Sequence, residues 1–205
     1  MHLEVLNPQL LEIIQSVCAD PEFSQFRLGG GSALALQLGH RKSVDAGFVA
    51  ENFFDVDYFI ALLEKKFTSI TDVNSGKHGL FFKVSGIKVD LLSWNITFIR
   101  NAVKFDNLIL ADVEEIIAMK LFSILQRGEK KDYMDIASLL DHYSLRQMIT
   151  FYKERHNGSD DLLVIRYLSS YSDIEQQPEP VMLNGLDWKK CKAKLINAIQ
   201  EFMNE

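Results

Sequence analysis

Apolar positions recur at three- and four-residue spacing in PQLLEIIQSVC, behind Asn7 as an N-cap and Pro8 in the first turn. This predicts an opening helix over residues 8 to 18, ended by Asp20-Pro21. The segment FRLGGGSALALQLGHRKSVDAGFV predicts a short strand to Leu28, a glycine turn, a helix from about Ser32 to Leu38 and a second strand from Val44 to Val49. Asp55 caps an amphipathic helix in VDYFIALLEKKF. Residues 70 to 74, 80 to 84 and 87 to 92 read as strands separated by glycine-containing turns, which completes a mixed sheet. After about residue 105 the pattern becomes helical, and an interruption at Arg127 to Glu129 divides two helices at a glycine turn. Further helices are expected at about 144 to 155 and 160 to 170, and a last one through WKKCKAKLINAIQEF after the turn-rich QQPEPVMLNG. The chain reads as α+β, a mixed-sheet unit followed by a helical C-terminal lobe.

Composition limits what such a chain does. With 205 residues, 47% apolar and 14 Phe, it can bury a substantial core. The net charge of −6 provides no global basic field, so any nucleic acid must be held by local clusters of cations. Cys18 and Cys191 are the only cysteines, which argues against a disulfide framework or zinc cluster and suits a reducing cytoplasm; both are expected to be structural. The N-terminal MHLEVLNPQLLEII has neither a basic region nor a cleavage site and does not read as a signal peptide. Apolar runs fall far short of the roughly 18 to 20 residues that span a bilayer, so no membrane association is expected.

Four groups of residues could carry chemistry. Gly29-Gly30-Gly31-Ser32 stands at a strand-to-helix junction, where glycines admit a phosphate and helix N–H groups attract it; a plain tight turn is the bland reading. HRKSVD places Arg41, Lys42 and Asp45 beside the next strand, a mixture that suits phosphate and Mg²⁺ but also a solvated turn. Asp90 interrupts an apolar strand whose alternation puts Lys88, Asp90 and Leu92 on one face, so a metal, a cation or an exposed sheet face must satisfy it. Lys120, Arg127, Lys130, Lys131, Asp132 and Asp135 fall on the paired helices. Asp132 and Asp135 share a face, Lys131 and Asp135 are spaced to pair, and a surface ion-pair cluster would account for them. Lys120, however, follows IIAM at the edge of an apolar stripe, which suggests a cleft.

In this order, GGSALALQLGHRKSVDAG, KVDLL and KLFSILQRGEKKDYMD resemble the AbiEii/AbiGii toxin family of nucleotidyltransferases, and the tail with EPVML before Trp188 extends the likeness over nearly the whole chain. The resemblance implies a polymerase-β-like nucleotidyltransferase core over residues 1 to 105 and a helical lobe over 106 to 205 that completes the active-site cleft. It also implies a bacterial cytoplasmic setting, a nucleoside triphosphate used with Mg²⁺, RNA or tRNA as acceptor, and an antitoxin protein as partner. Carried over by position, Asp45 and Asp90 would bind metal and act in catalysis with Lys120 and Asp135. Gly30, Gly31, Ser32, Arg41, Lys131 and Asp132 would hold the nucleotide. The chain departs from the family at Gly47, where a second acid is expected two residues after Asp45 on the same strand face. Asp55-Val56-Asp57 reads as a helix cap and does not replace it. Three functions follow: a transferase with or without weakened activity, a nucleotide-binding or protein-interaction module that has lost chemistry, and a transferase acting on a small molecule.

Overall fold

In a computed structural model that describes residues 1–157 and 160–204, the chain forms a seven-stranded mixed sheet and eight α-helices. The first part runs α1 (Pro8–Cys18), β1 (Arg27–Gly29), α2 (Gly30–Leu38), β2 (Ala46–Ala50), α3 (Val56–Lys66), β3 (Ile70–Gly76), β4 (Gly79–Val84) and β5 (Ile87–Ser93). It continues with β6 (Val103–Phe105), β7 (Leu108–Leu110), α4 (Val113–Gln126), α5 (Lys130–Leu139), α6 (Leu145–Arg155), α7 (Asp161–Leu168) and α8 (Trp188–Asn204). Strand order is β3-β4-β5-β2-β1-β7-β6. β2 runs antiparallel to β1 and parallel to β5, which sets Gly47 directly beside Asp90.

Local chemistry explains most boundaries. The Asn7 side chain accepts from the Leu10 amide with Pro8 at the first position, and the Asp55 side chain accepts from the Tyr58 amide, so both expected caps start their helices. Helix α2 begins at Gly30, two residues before the expected Ser32, and buries Ser32 through Leu36 on every side. Its small alanines suit a helix packed all round, with α4 and α5 against it. The β6–β7 hairpin was not foreseen. It closes on a two-residue turn, Asp106-Asn107, and β7 pairs in parallel with β1 through Leu28 and Leu110. The sheet therefore extends to Leu110, past the lobe boundary expected at residues 105 and 106.

One continuous core joins the sheet and the helices. Around Phe59 of α3, the rings of Phe23, Phe26 and Phe54 lie 5.2, 5.2 and 5.4 Å away in edge-to-face contacts, which pin α3 to the chain between α1 and β1. Cys191 is buried and its thiol is pushed up to about 12 by that burial, so it behaves as an apolar filler. Among the described residues no helix is long and apolar enough to cross a membrane. Phe59→Ala is expected to cost about 3–5 kcal/mol in urea unfolding, as buried Phe truncations do; a loss below about 1 kcal/mol would show that the aromatic cluster does not hold α3.

Candidate active site

The Gly30-Gly31 turn, β2, β4, β5, α4, the start of α5 and the end of α6 line one cavity of about 460 Å³. Strand alternation decides which side chains reach it. Asp45, Gly47 and Val49 line it from β2 and the residue before it, and Lys88, Asp90 and Leu92 from β5, while Val89 and Leu91 are buried on the opposite face. Six cationic side chains line the cavity (Arg41, Lys88, Lys120, Arg127, Lys131 and Arg155) against three carboxylates, Asp45, Asp90 and Asp132. Each of the six pairs with a carboxylate, and three of those carboxylates (Glu115, Glu129 and Asp135) lie behind the lining, so cations are concentrated here but balanced.

At the front, Asp90 accepts from Lys88 Nζ at 3.0 Å through Oδ2, and its Oδ1 is buried without a partner among the described residues. Burial raises the Asp90 carboxyl above the usual range, Lys88 opposes the shift, and Asp45 adds to it. Asp45 lies 3.3 Å from Lys131 Nζ, which also reaches Glu129 at 3.0 Å. Burial works against the Lys131 charge, but Asp45 and Glu129 outweigh it and raise its pKa. The expected pairing of Lys131 with Asp135 does not occur, because Asp135 points into the interior.

Behind the front lies a buried ion cluster. Asp135, fully buried, accepts from Arg41 Nε at 2.6 Å and Nη2 at 3.0 Å, from His40 Nε2 at 2.7 Å, and pairs with Lys120 Nζ at 2.6 Å. Lys120 also donates to Asp132 at 2.7 Å. These side chains are buried, so the surface explanation for Lys120, Asp132 and Asp135 does not hold. Burial alone would neutralise Asp135, but Lys120 and Arg41 hold its carboxyl well below the usual range. Burial likewise opposes the Lys120 charge, and Asp132 and Asp135 outweigh it.

Two glycines shape this corner. Gly30 adopts φ 58°, and a Cβ on Gly31 would overlap Arg41 Nη2, so only glycine lets the guanidinium lie against the turn. Ser32 is buried, and its hydroxyl engages Ser43 Oγ and the Asp45 carbonyl; it ties the chain leading to Asp45 onto α2 and does not line the cavity. Asp135 does not line it either. Lys42 turns away to the Glu4 carbonyl, and Lys130 donates to the Glu175 carbonyl at 2.8 Å, so neither joins the cavity cations.

Asp45 and Asp90 offer hard oxygen donors, and the partnerless Asp90 Oδ1 is an atom that a divalent cation would satisfy. Gly47 adds no ligand, and the described residues contain no group of three or more His, Cys, Asp or Glu side chains placed to hold a metal. The residues fit a cation completed by phosphate and water, not a closed protein cage.

One wall of the cavity is aromatic, with His78, Trp94, Phe122 and His156 lining it, while Phe81 lies beside Asp90 across β4 and β5. His156 stacks on Phe122 at 4.6 Å with ring planes 6° apart, and burial with Arg155 beside it pushes its pKa down to about 4. Trp94 directly after β5 and the Arg155-His156 pair ending α6 carry no motif; only the tertiary fold brings them together.

The same architecture occurs in solved structures. A nucleotidyltransferase described from H. pylori superposes with TM-score 0.60 and 14% identity, covering 96% of this chain and 92% of its own. MenT4, a nucleotidyltransferase toxin from Mycobacterium tuberculosis, gives TM-score 0.62 and 13% identity over 96% of this chain and 84% of that one. The protein therefore has the nucleotidyltransferase fold. An uncharacterized protein of Aquifex aeolicus is 26% identical over 178 residues, 84% of this chain and 86% of that protein. Residues 13–203 match the family described as nucleotidyl transferase AbiEii toxin, type IV toxin–antitoxin system, and the chain belongs to that family.

Two outcomes follow from the electrostatics. Asp135→Asn leaves Arg41 and Lys120 short of a counter-charge and is expected to cost about 3–5 kcal/mol in denaturant unfolding; a loss under about 1 kcal/mol would contradict the cluster. His156 has a folded pKa below its unfolded value, so the unfolded chain binds more protons between the two. Its contribution to stability is complete above pH 6.5 and declines as pH falls toward 4. An NMR titration should place its midpoint near 4, and a midpoint near 6.5 would mean that the ring is solvated.

Proposed function

We propose that this pocket binds a nucleoside triphosphate with Mg²⁺ and transfers its nucleoside monophosphate to an acceptor hydroxyl, breaking the α–β phosphate bond and releasing pyrophosphate, with RNA, tRNA in particular, as the acceptor class. The observation that carries this reading is the convergence of Asp45 and Asp90 with a concentration of lysine and arginine side chains and a glycine-opened helix start in one cavity of an acidic protein. The acceptor class and an antitoxin partner, in a bacterial cytoplasm, rest on membership of the family.

Each residue has a part in this reading. The Gly30-Gly31 backbone at the start of α2 receives phosphate oxygens. Asp45 and Asp90 hold the Mg²⁺, which when bound neutralises phosphate charge. Lys131, already 3.3 Å from Asp45, and Lys120 supply fixed positive charge at the phosphates. Asp132 and Asp135 keep Lys120 charged and placed, and Asp135 orients Arg41 against the Gly31 turn. Ser32 acts through the position of Asp45. The sheet unit brings the carboxylates and the helical lobe brings Lys120 and Lys131, so the cleft needs both. Acceleration then comes from positioning and electrostatics with no covalent nucleophile.

Gly47 favours a second reading, a binding module with impaired chemistry, because the place beside Asp90 holds no third carboxylate. A Cβ there would meet nothing within 4 Å, so the backbone admits a side chain. Calorimetry with each nucleoside triphosphate and Mg²⁺ separates the readings. Asp45→Ala is expected to weaken binding at least tenfold and Gly47→Asp to tighten it, with labelled nucleotide transferred to tRNA by the native chain. Binding without transfer, with transfer gained in Gly47→Asp, establishes the impaired module. If none of the three chains binds any triphosphate, the nucleotide reading is wrong.

A further inference from the structure

The aromatic end of the cavity takes no part in the chemistry above, yet it is built from four separate elements. His78 between β3 and β4 stacks on Trp94 after β5 at 6.0 Å and 21°, Trp94 meets Phe122 of α4 edge-on at 6.0 Å, and Phe122 stacks on His156 at the end of α6. This gives a row of four rings along one wall.

Polar atoms at the same wall are left without partners. Eight buried side-chain nitrogen or oxygen atoms lack a hydrogen-bond partner among the described residues, and five of them belong to residues lining this cavity. Three of those five are His78 Nδ1, Arg155 Nε and His156 Nε2, at the aromatic end. Arg155 is not loose: its Nη1 is tied to the buried Glu115 carboxylate, which also accepts from the Ile99 amide at 2.7 Å. That anchor fixes the guanidinium.

We propose that the His78-Trp94-Phe122-His156 row is the nucleobase wall of the pocket. This rests on the nucleotide reading of the same cavity and deepens it. The rings provide stacking and edge contacts, which any base accepts. The phosphates extend toward Gly30-Gly31 and Lys131.

The test uses tryptophan emission and three probes: the four nucleoside triphosphates with Mg²⁺, inorganic tripolyphosphate, and the four phosphate-free nucleosides. Trp94→Leu and Phe122→Leu change half-buried side chains, and His156→Phe retains a ring while deleting its nitrogens. Nucleosides are expected to quench emission of the native chain and not of Trp94→Leu. Phe122→Leu is expected to weaken each nucleotide about tenfold, the scale of one lost base stack, while tripolyphosphate binds as before. His156→Phe, which keeps the ring, should bind each nucleotide as the native chain does. The proposal is overturned if nucleosides leave emission unchanged, or if Trp94→Leu and Phe122→Leu bind nucleotides as tightly as the native chain. Tripolyphosphate binding with no nucleoside effect removes the base wall alone and leaves the phosphate site standing. Nucleoside quenching with no tripolyphosphate binding upholds the wall and removes the triphosphate reading.

Discussion

The carboxylate of Asp135 holds this structure in register. It sits at zero exposure between Arg41 and His40, which precede β2, and Lys120 from α4, while it is itself carried by α5. A charge removed from water demands close, directional partners, and here they come from both the sheet unit and the helical lobe. The tail adds a strap: the Leu183 amide donates to the His40 carbonyl, the Lys42 amide donates to the Val181 carbonyl, and Asn184 reaches Ser138 on α5. The segment containing EPVML thus clamps the residues that orient Asp135 and Asp45.

That cluster separates a rigid floor from an adjustable front. Arg41, Lys120, Asp132 and Asp135 have their charges committed to one another, and Gly31 exists in the form of a bare backbone because Arg41 occupies the space a side chain would need. Asp45 and Lys131, by contrast, are each about one-third exposed and joined at 3.3 Å, so solvent and a bound anion can both reach them. Asp90 stands between the two regimes, with one oxygen on Lys88 and one without a partner. Beside it Gly47 carries no side chain, and a Cβ there would meet nothing within 4 Å.

Much of this was legible before the structure. Glycine punctuation between apolar runs marked β1, α2 and the α4–α5 turn, Asp55 announced its helix, and an acid inside an apolar strand singled out Asp90. What escaped had non-local causes. The three-residue strands β6 and β7 are too short for a periodic signal and exist because β7 pairs with β1 across some 80 residues of chain. Spacing on α5 offered Lys131 as the partner of Asp135, whereas its partners are Lys120 on α4 and His40 and Arg41, which lie 95 and 94 positions away. Arg41 and Ser32 read as phosphate ligands, yet the fold commits Arg41 to Asp135 and turns Ser32 onto the backbone of Asp45. The aromatic wall, gathered from four elements, leaves no trace in any single stretch.

The most direct test of the central claim is a crystal structure with a nucleoside triphosphate analogue that cannot be cleaved between its α and β phosphates, grown with Mn²⁺ in place of Mg²⁺. The account predicts the phosphates at the Gly30-Gly31 amides and Lys131, with the anomalous signal of manganese between Asp45 and Asp90. Phosphates bound elsewhere, or a cavity left empty at saturating analogue, would contradict it.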